Sequence, residues 1–188
     1  LYFSNPAINI KKLALFLRQK ISFKLGLAFV LFGILSFLNF FLIRHFKNQE
    51  KSDAQVVNVA GRQRMLSQRI ALSGEMIFDS KPHAKSSLKK AILTCDQSLK
   101  SLETGGLAPG FSEPLPPASA RILNTIKEVK ELWLQYRGHA ENLLNEPQNE
   151  ISLTYLEAQS MDMLQAFDGL VKAYVSENEA KQSRLNMV

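Results

Sequence analysis

The chain has 188 residues, enough for one domain and little more, and 23 basic against 17 acidic residues give it a net charge of +6. Six basic and no acidic residues precede His45, while the rest of the chain carries 17 of each, so the excess is a terminal feature and not the basic face of a nucleic-acid-binding domain. The single cysteine, Cys95, excludes an intramolecular disulfide and a Cys-based zinc site, and His45, His83 and His139 lack metal-ligand spacing, so neither metal nor cofactor is expected.

Residues 1–5, LYFSN, read as a tag-protease remnant, although the glutamine expected before the serine is missing. Residues 6–24 form a basic segment in which Lys11 to Lys24 alternates with apolar side chains, as in a short helix lying along a lipid leaflet. Leu25 to Ile43, residues 25–43, is an uncharged run of nineteen that spans roughly 28 Å at the helical rise, close to the hydrocarbon thickness of a bilayer. A buried core helix rarely avoids charge for so long, and a signal peptide would be shorter and would end on small residues, which Phe40-Phe41-Leu42-Ile43 does not offer. Five basic residues before the span place the N-terminus in the cytoplasm, an inner-membrane bias that Arg44 and Lys47 partly offset. The remainder, residues 47–186, is then extracytoplasmic.

Between Ile43 and Gly61 there is neither proline nor glycine, so the span is expected to continue as a helix to about Asp79, where Ser80-Lys81-Pro82 breaks it. Leu88, Ile92, Cys95, Leu99 and Leu102 make the apolar stripe of a second helix, ending at Gly105-Gly106. Gly105 to Ser119 holds four prolines and three glycines and reads as an irregular connection, or a surface for docking a partner. Ile122, Ile126, Val129, Leu132, Trp133 and Tyr136 mark a third helix running to about Leu144, and Asn145-Glu146-Pro147 turns the chain. Leu153, Leu156, Met163, Leu164, Phe167, Leu170, Val171 and Tyr174 mark a fourth, fading near Arg184. The expected fold is all-α: an N-terminal transmembrane helix continuing into an antiparallel four-helix bundle. A second span is expected after the fourth helix, and since the sequence stops at Val188 the chain reads as truncated.

One stretch breaks the bundle pattern. Stepping 100° per residue from Gly61 puts Ala54, Val57, Gly61, Arg64, Met65, Gln68 and Leu72 within about 60° of one line. Val59, Leu66, Ile70 and Ile77 fall on the opposite side. Two apolar stripes imply two burials, one in the bundle core and the other against a second copy of the helix in a homodimer. Two Arg64 guanidiniums meeting there would repel, and a small planar oxyanion between them would neutralise the pair and match the guanidinium fork. The competing reading is that Arg64 reaches solvent or pairs with an acid from another helix. Glycine in a helix interior costs about 1 kcal/mol against alanine, so Gly61 calls for a packing or binding reason.

Asn58-Val59-Ala60-Gly61-Arg62-Gln63-Arg64-Met65-Leu66-Ser67-Gln68-Arg69 resembles the signature of the PilJ-type, NarX-like sensor domain of type IV pilus-associated chemoreceptors and nitrate/nitrite sensor histidine kinases. Cys95-Asp96-Gln97-Ser98-Leu99, Glu131-Leu132-Trp133-Leu134-Gln135-Tyr136 and Val171-Lys172-Ala173-Tyr174 extend the likeness over roughly Glu50 to Arg184. The resemblance implies a ligand-sensing domain of a signal-transduction receptor, a periplasmic bundle that works as a homodimer with nitrate or nitrite on its axis. It further implies that Arg64 contacts the anion and that Gly61 lets the backbone approach, with Met65, Gln68 and Val57 completing the ligand-binding set. Arg62-Gln63 stand where the nitrate kinases have small or apolar residues, placing the chain nearer to the chemoreceptor branch than to the two-component branch. From another class, the alternative is a membrane-anchored dimerisation or partner-docking bundle without a small-molecule ligand. An enzyme is not expected, because Ser67, Ser73 and His83 belong to no nucleophile–base arrangement. Trp133, Tyr136 and Cys95 read as core residues.

Overall fold

The computed structural model describes residues 6–185 and is all-helical but for one two-residue ladder. The tag-remnant reading of residues 1–5, and residue 186, lie outside the described residues. The helices are α1 (Pro6–Phe78), α2 (Ala84–Thr104), α3 (Ala120–Asn145) and α4 (Glu150–Leu185). The chain divides into two compact units, Leu1–Gln49 and Glu50–Val188.

The described residues of the first unit lie on α1. Its Ile21–His45 segment, 25 residues of mean hydropathy 2.4, is long and apolar enough to cross a membrane, and none of it is buried within the structure. Phe23, Phe29, Phe32, Phe37, Phe40 and Phe41 all stand exposed around the helix. An apolar surface on every side suits hydrocarbon as its solvent and has no use in water.

The second unit is the antiparallel four-helix bundle. Its up-and-down course shows in the bonds that close its two ends. At one end Asp53 of α1 meets Lys181 of α4, and Gln55 Nε2 donates to Glu113 O in the α2–α3 connection, at 2.8 Å. At the other end Gln148 Nε2 donates to Phe78 O and Lys85 Nζ donates to Leu144 O. The core between them takes Val59, Leu66, Ile70 and Ile77 from α1, Leu88, Cys95 and Leu102 from α2, Ile122, Ile126, Trp133 and Tyr136 from α3, and Leu156, Met163, Phe167 and Leu170 from α4. These lie on the apolar stripes read from the sequence, Trp133, Tyr136 and Cys95 included. Leu132, expected on the third stripe, is exposed because it stands about 100° round the helix from Trp133, and Leu153, Leu164 and Val171 of the fourth are only half-buried.

Local chemistry sets the helix boundaries. Gly105 closes α2 at φ +79°, and a Cβ there would stand 3.0 Å from Leu115 O and Pro117 N, so both its backbone and its space demand glycine. The Ser119 hydroxyl caps α3 by accepting from Ile122 N, and Asn149 Oδ1 caps α4 by accepting from Ser152 N at 2.9 Å. The α2–α3 connection is more ordered than its composition suggests. Gly106–Leu107 pairs antiparallel with Pro114–Leu115, pinching the loop into a small hairpin.

Candidate functional site

The Asn58–Arg69 stretch of α1 divides by face. Val59, Ala60, Gln63, Leu66 and Ser67 are buried in the bundle. On the far side Met65 and Leu72 are 59% and 55% exposed, so among the described residues this part of the second apolar stripe stands uncovered. Gln63, fully buried, donates from Nε2 to Val59 O at 3.0 Å, while its Oε1 is left without a partner. The Ser67 hydroxyl donates to Arg64 O, and Tyr136 donates across the core to Ser67 O at 3.2 Å. The buried Ser73 hydroxyl bonds Ser87.

The two arginines of the stretch are held differently. Arg62 turns toward the α2–α3 connection, where Nη1 donates to Pro109 O at 2.5 Å and Nη2 to Ser98 Oγ at 3.0 Å. Its guanidinium carbon lies 4.9 Å from the centre of the Phe111 ring, and its Nε is buried without a partner. Burial pulls this guanidinium below its ordinary pKa. Arg62 is therefore a strut that fixes the loop to α1.

Arg64 points outward and, among the described residues, is engaged through Nη1, donating to Asp168 Oδ1 of α4 at 2.8 Å. The other oxygen of that carboxylate accepts from Lys172 Nζ, also at 2.8 Å. The hydrogen bond from Lys172 is the largest influence on the Asp168 carboxyl, and with the hydrogen bond from Arg64 and the charges of both cations it outweighs desolvation and holds the group below the ordinary carboxylate range. Pairing with an acid from another helix is thus the arrangement within one chain. An uncompensated Arg64 charge is corrected, because the acid that α1 lacks on this stripe comes from α4.

Arg64, Met65 and Gln68 line a shallow groove of about 350 Å³ together with Leu164, Gln165 and Asp168 of α4. The groove is open to solvent, and Gln68 Nε2 ties its rim by donating to Ser160 O at 3.3 Å. Three of the five sequence-expected site residues come together here. Gly61 stands one turn earlier on the helix, and a Cβ on it would meet only Arg64 Nη2, at 3.7 Å. Val57 is half-buried and packs against the bundle core, outside the groove. The α4 residues were not singled out as site residues. Asp168 adjoins the core residue Phe167, a flank position that could have marked it as facing a neighbouring helix. Among the described residues no cluster of His, Cys, Asp and Glu is arranged to hold a metal.

The second unit is thus a four-helix bundle with an arginine-bearing groove on its outer face. The chain belongs to the PilJ family: residues 47–158, more than half its length, match the type IV pili methyl-accepting chemotaxis transducer N-terminal region. It is accordingly a non-catalytic sensing region of the chemotaxis-transducer kind, anchored to a membrane. No curated protein and no solved structure matches it.

Proposed function

We propose that this chain senses nitrate, nitrite or a similar small anion, held between the Arg64 side chains of two copies in a homodimer. The observation that carries the reading is the uncovered stripe of α1: Met65 and Leu72 exposed on the side where Arg64 enters an open groove. Gly61 supports it, since among the described residues its missing Cβ would make only an ordinary contact with Arg64 Nη2 and a glycine in mid-helix is otherwise a cost. Bringing a second copy of this face against the first buries the apolar stripe and lets a planar oxyanion share two guanidinium forks. The bundle then lies on the extracytoplasmic, periplasmic side of the inner membrane, with the basic N-terminal segment against cytoplasmic-leaflet lipid. The attached output is a chemoreceptor signalling region, and a histidine kinase is the other kind of output this sensing mode serves.

The Arg64–Asp168 pair favours a second reading. With its charge already countered inside the chain, this face needs no anion, and the bundle would serve only to dimerise or dock a partner. A thermal-shift panel on the full chain in detergent separates the two. Stabilisation by nitrate or nitrite and not by chloride at equal ionic strength, lost in Arg64→Ala, supports sensing. Melting temperatures indifferent to every anion, with a dimer that persists in sedimentation, support the docking bundle.

A further inference from the structure

The groove contains its own competitor. We propose that Asp168 is a built-in counter-ion that occupies Arg64 when no anion is bound, and so sets the affinity of the site. The inference rests on the anion reading of Arg64 given above.

Asp168 offers Arg64 the same chemistry as the expected ligand, a planar, singly charged pair of oxygens. It uses only part of the fork, since Oδ1 takes Nη1 while Nη2 lies toward Gly61. An incoming anion therefore meets a carboxylate already on its guanidinium. Two negative groups on one cation repel, and the free anion must displace the tethered one, which is present at a high effective concentration.

Lys172 makes the displacement feasible. It stands one turn further along α4, already holds Asp168 Oδ2 at 2.8 Å, and has a side chain that is 78% exposed and free to follow. When the anion takes Arg64, Asp168 keeps this second partner and is not left as an unpaired charge in a half-covered groove. Arg64 and Asp168 belong to different helices, so the exchange also removes an ion pair between α1 and α4. Gln68 to Ser160 remains as a second tie between them. Binding thus loosens a cross-helix contact at the ligand site itself. A bundle whose helices have two packed arrangements has use for such an event.

The test is nitrate titration calorimetry on the full chain in detergent, comparing wild type with Asp168→Asn, Lys172→Gln and the double variant. Asp168→Asn keeps the size and the hydrogen-bonding side chain but removes the competing charge. It should tighten nitrate binding roughly three- to ten-fold, the scale of one partly exposed ion pair. Lys172→Gln should act in the opposite direction, about two- to five-fold weaker, because Asp168 then rests on Arg64 alone. In the Asp168→Asn background the same lysine change should fall to about two-fold or less. Opposite signs that collapse in the double variant are not produced by general destabilisation. If wild type binds nitrate and Asp168→Asn binds equally or more weakly, the competitor role is overturned while the anion site stands. Should neither bind, the anion reading fails and this inference with it. Asp168→Glu, which keeps the charge, guards against a folding artefact: a tightening equal to that of the asparagine variant would also overturn the proposal.

Discussion

Arg62 and Arg64 lie two residues apart on one helix and are held in opposite ways. Arg62 gives Nη1 to a backbone carbonyl and Nη2 to a hydroxyl, lies against Phe111, and loses part of its solvation to burial. Arg64 sits in an open groove on a single carboxylate that has a second cation to turn to. A guanidinium bonded to main chain and packed on a ring belongs to the fold. One held by a single carboxylate that also rests on a second cation can change partners, which is what a ligand site needs. The same division runs along α1 as a whole, between the Ile70 face and the Met65 face.

Substitutions on the two faces should separate, beginning with the largest loss of stability. Ile70→Ala opens a cavity in the core and should cost about 2–5 kcal/mol, seen as a large drop in melting temperature whether or not an anion is present. Arg62→Ala frees the α2–α3 hairpin and strands Ser98 and Pro109 O, for about 1–3 kcal/mol. Limited proteolysis should then cut first within Gly106–Leu115. If Arg62→Ala melts like wild type, the strut is not structural and the contrast between the two arginines dissolves.

Much of this contrast was legible in the sequence, and part of it was not. The 3.6-residue period separates Val59, Leu66, Ile70 and Ile77 from Met65 and Leu72 without coordinates, and Pro82, Gly105 and Pro147 mark the breaks between helices. Periodicity on one helix cannot say which residue of another stands opposite, since that depends on how each helix is rotated in the bundle. Asp168 as the partner of Arg64 escaped for that reason, as did the loop partners of Arg62. Gln63 was unexpected as a fully buried residue because its burial depends on tertiary position and not on its type. The hairpin in the connection was hidden by prolines, which sit in this ladder at Pro114 without needing an N–H to donate.

Smaller effects sharpen the outward face. Gly61→Ala should stabilise the isolated chain by about 0.5–1 kcal/mol, since its Cβ meets only the end of the Arg64 side chain. In sedimentation the same change should weaken the dimer and its response to nitrate. Stabilisation with an unaltered dimer would place the close helix approach elsewhere.

The smallest effect is with pH. Asp168 is held below the ordinary carboxylate range by Lys172 first and Arg64 second, so the stability its pairs add is fully present above that range. It fades only as pH falls through the lowered folded value. The melting-temperature difference between wild type and Asp168→Asn should stay constant from pH 7 to 5 and narrow only below roughly pH 4. Narrowing already between pH 7 and 5 would mean that another group is responsible.

The central claim is that one anion joins two Arg64 side chains, and the stoichiometry of nitrate binding tests it most directly. Calorimetric titration of the full chain in detergent should give one nitrate per two chains, with heat that vanishes in Arg64→Ala while the variant keeps its helical signal and its melting temperature within a few degrees. One nitrate per chain, or binding that survives the loss of Arg64, would contradict a shared site on the dimer axis.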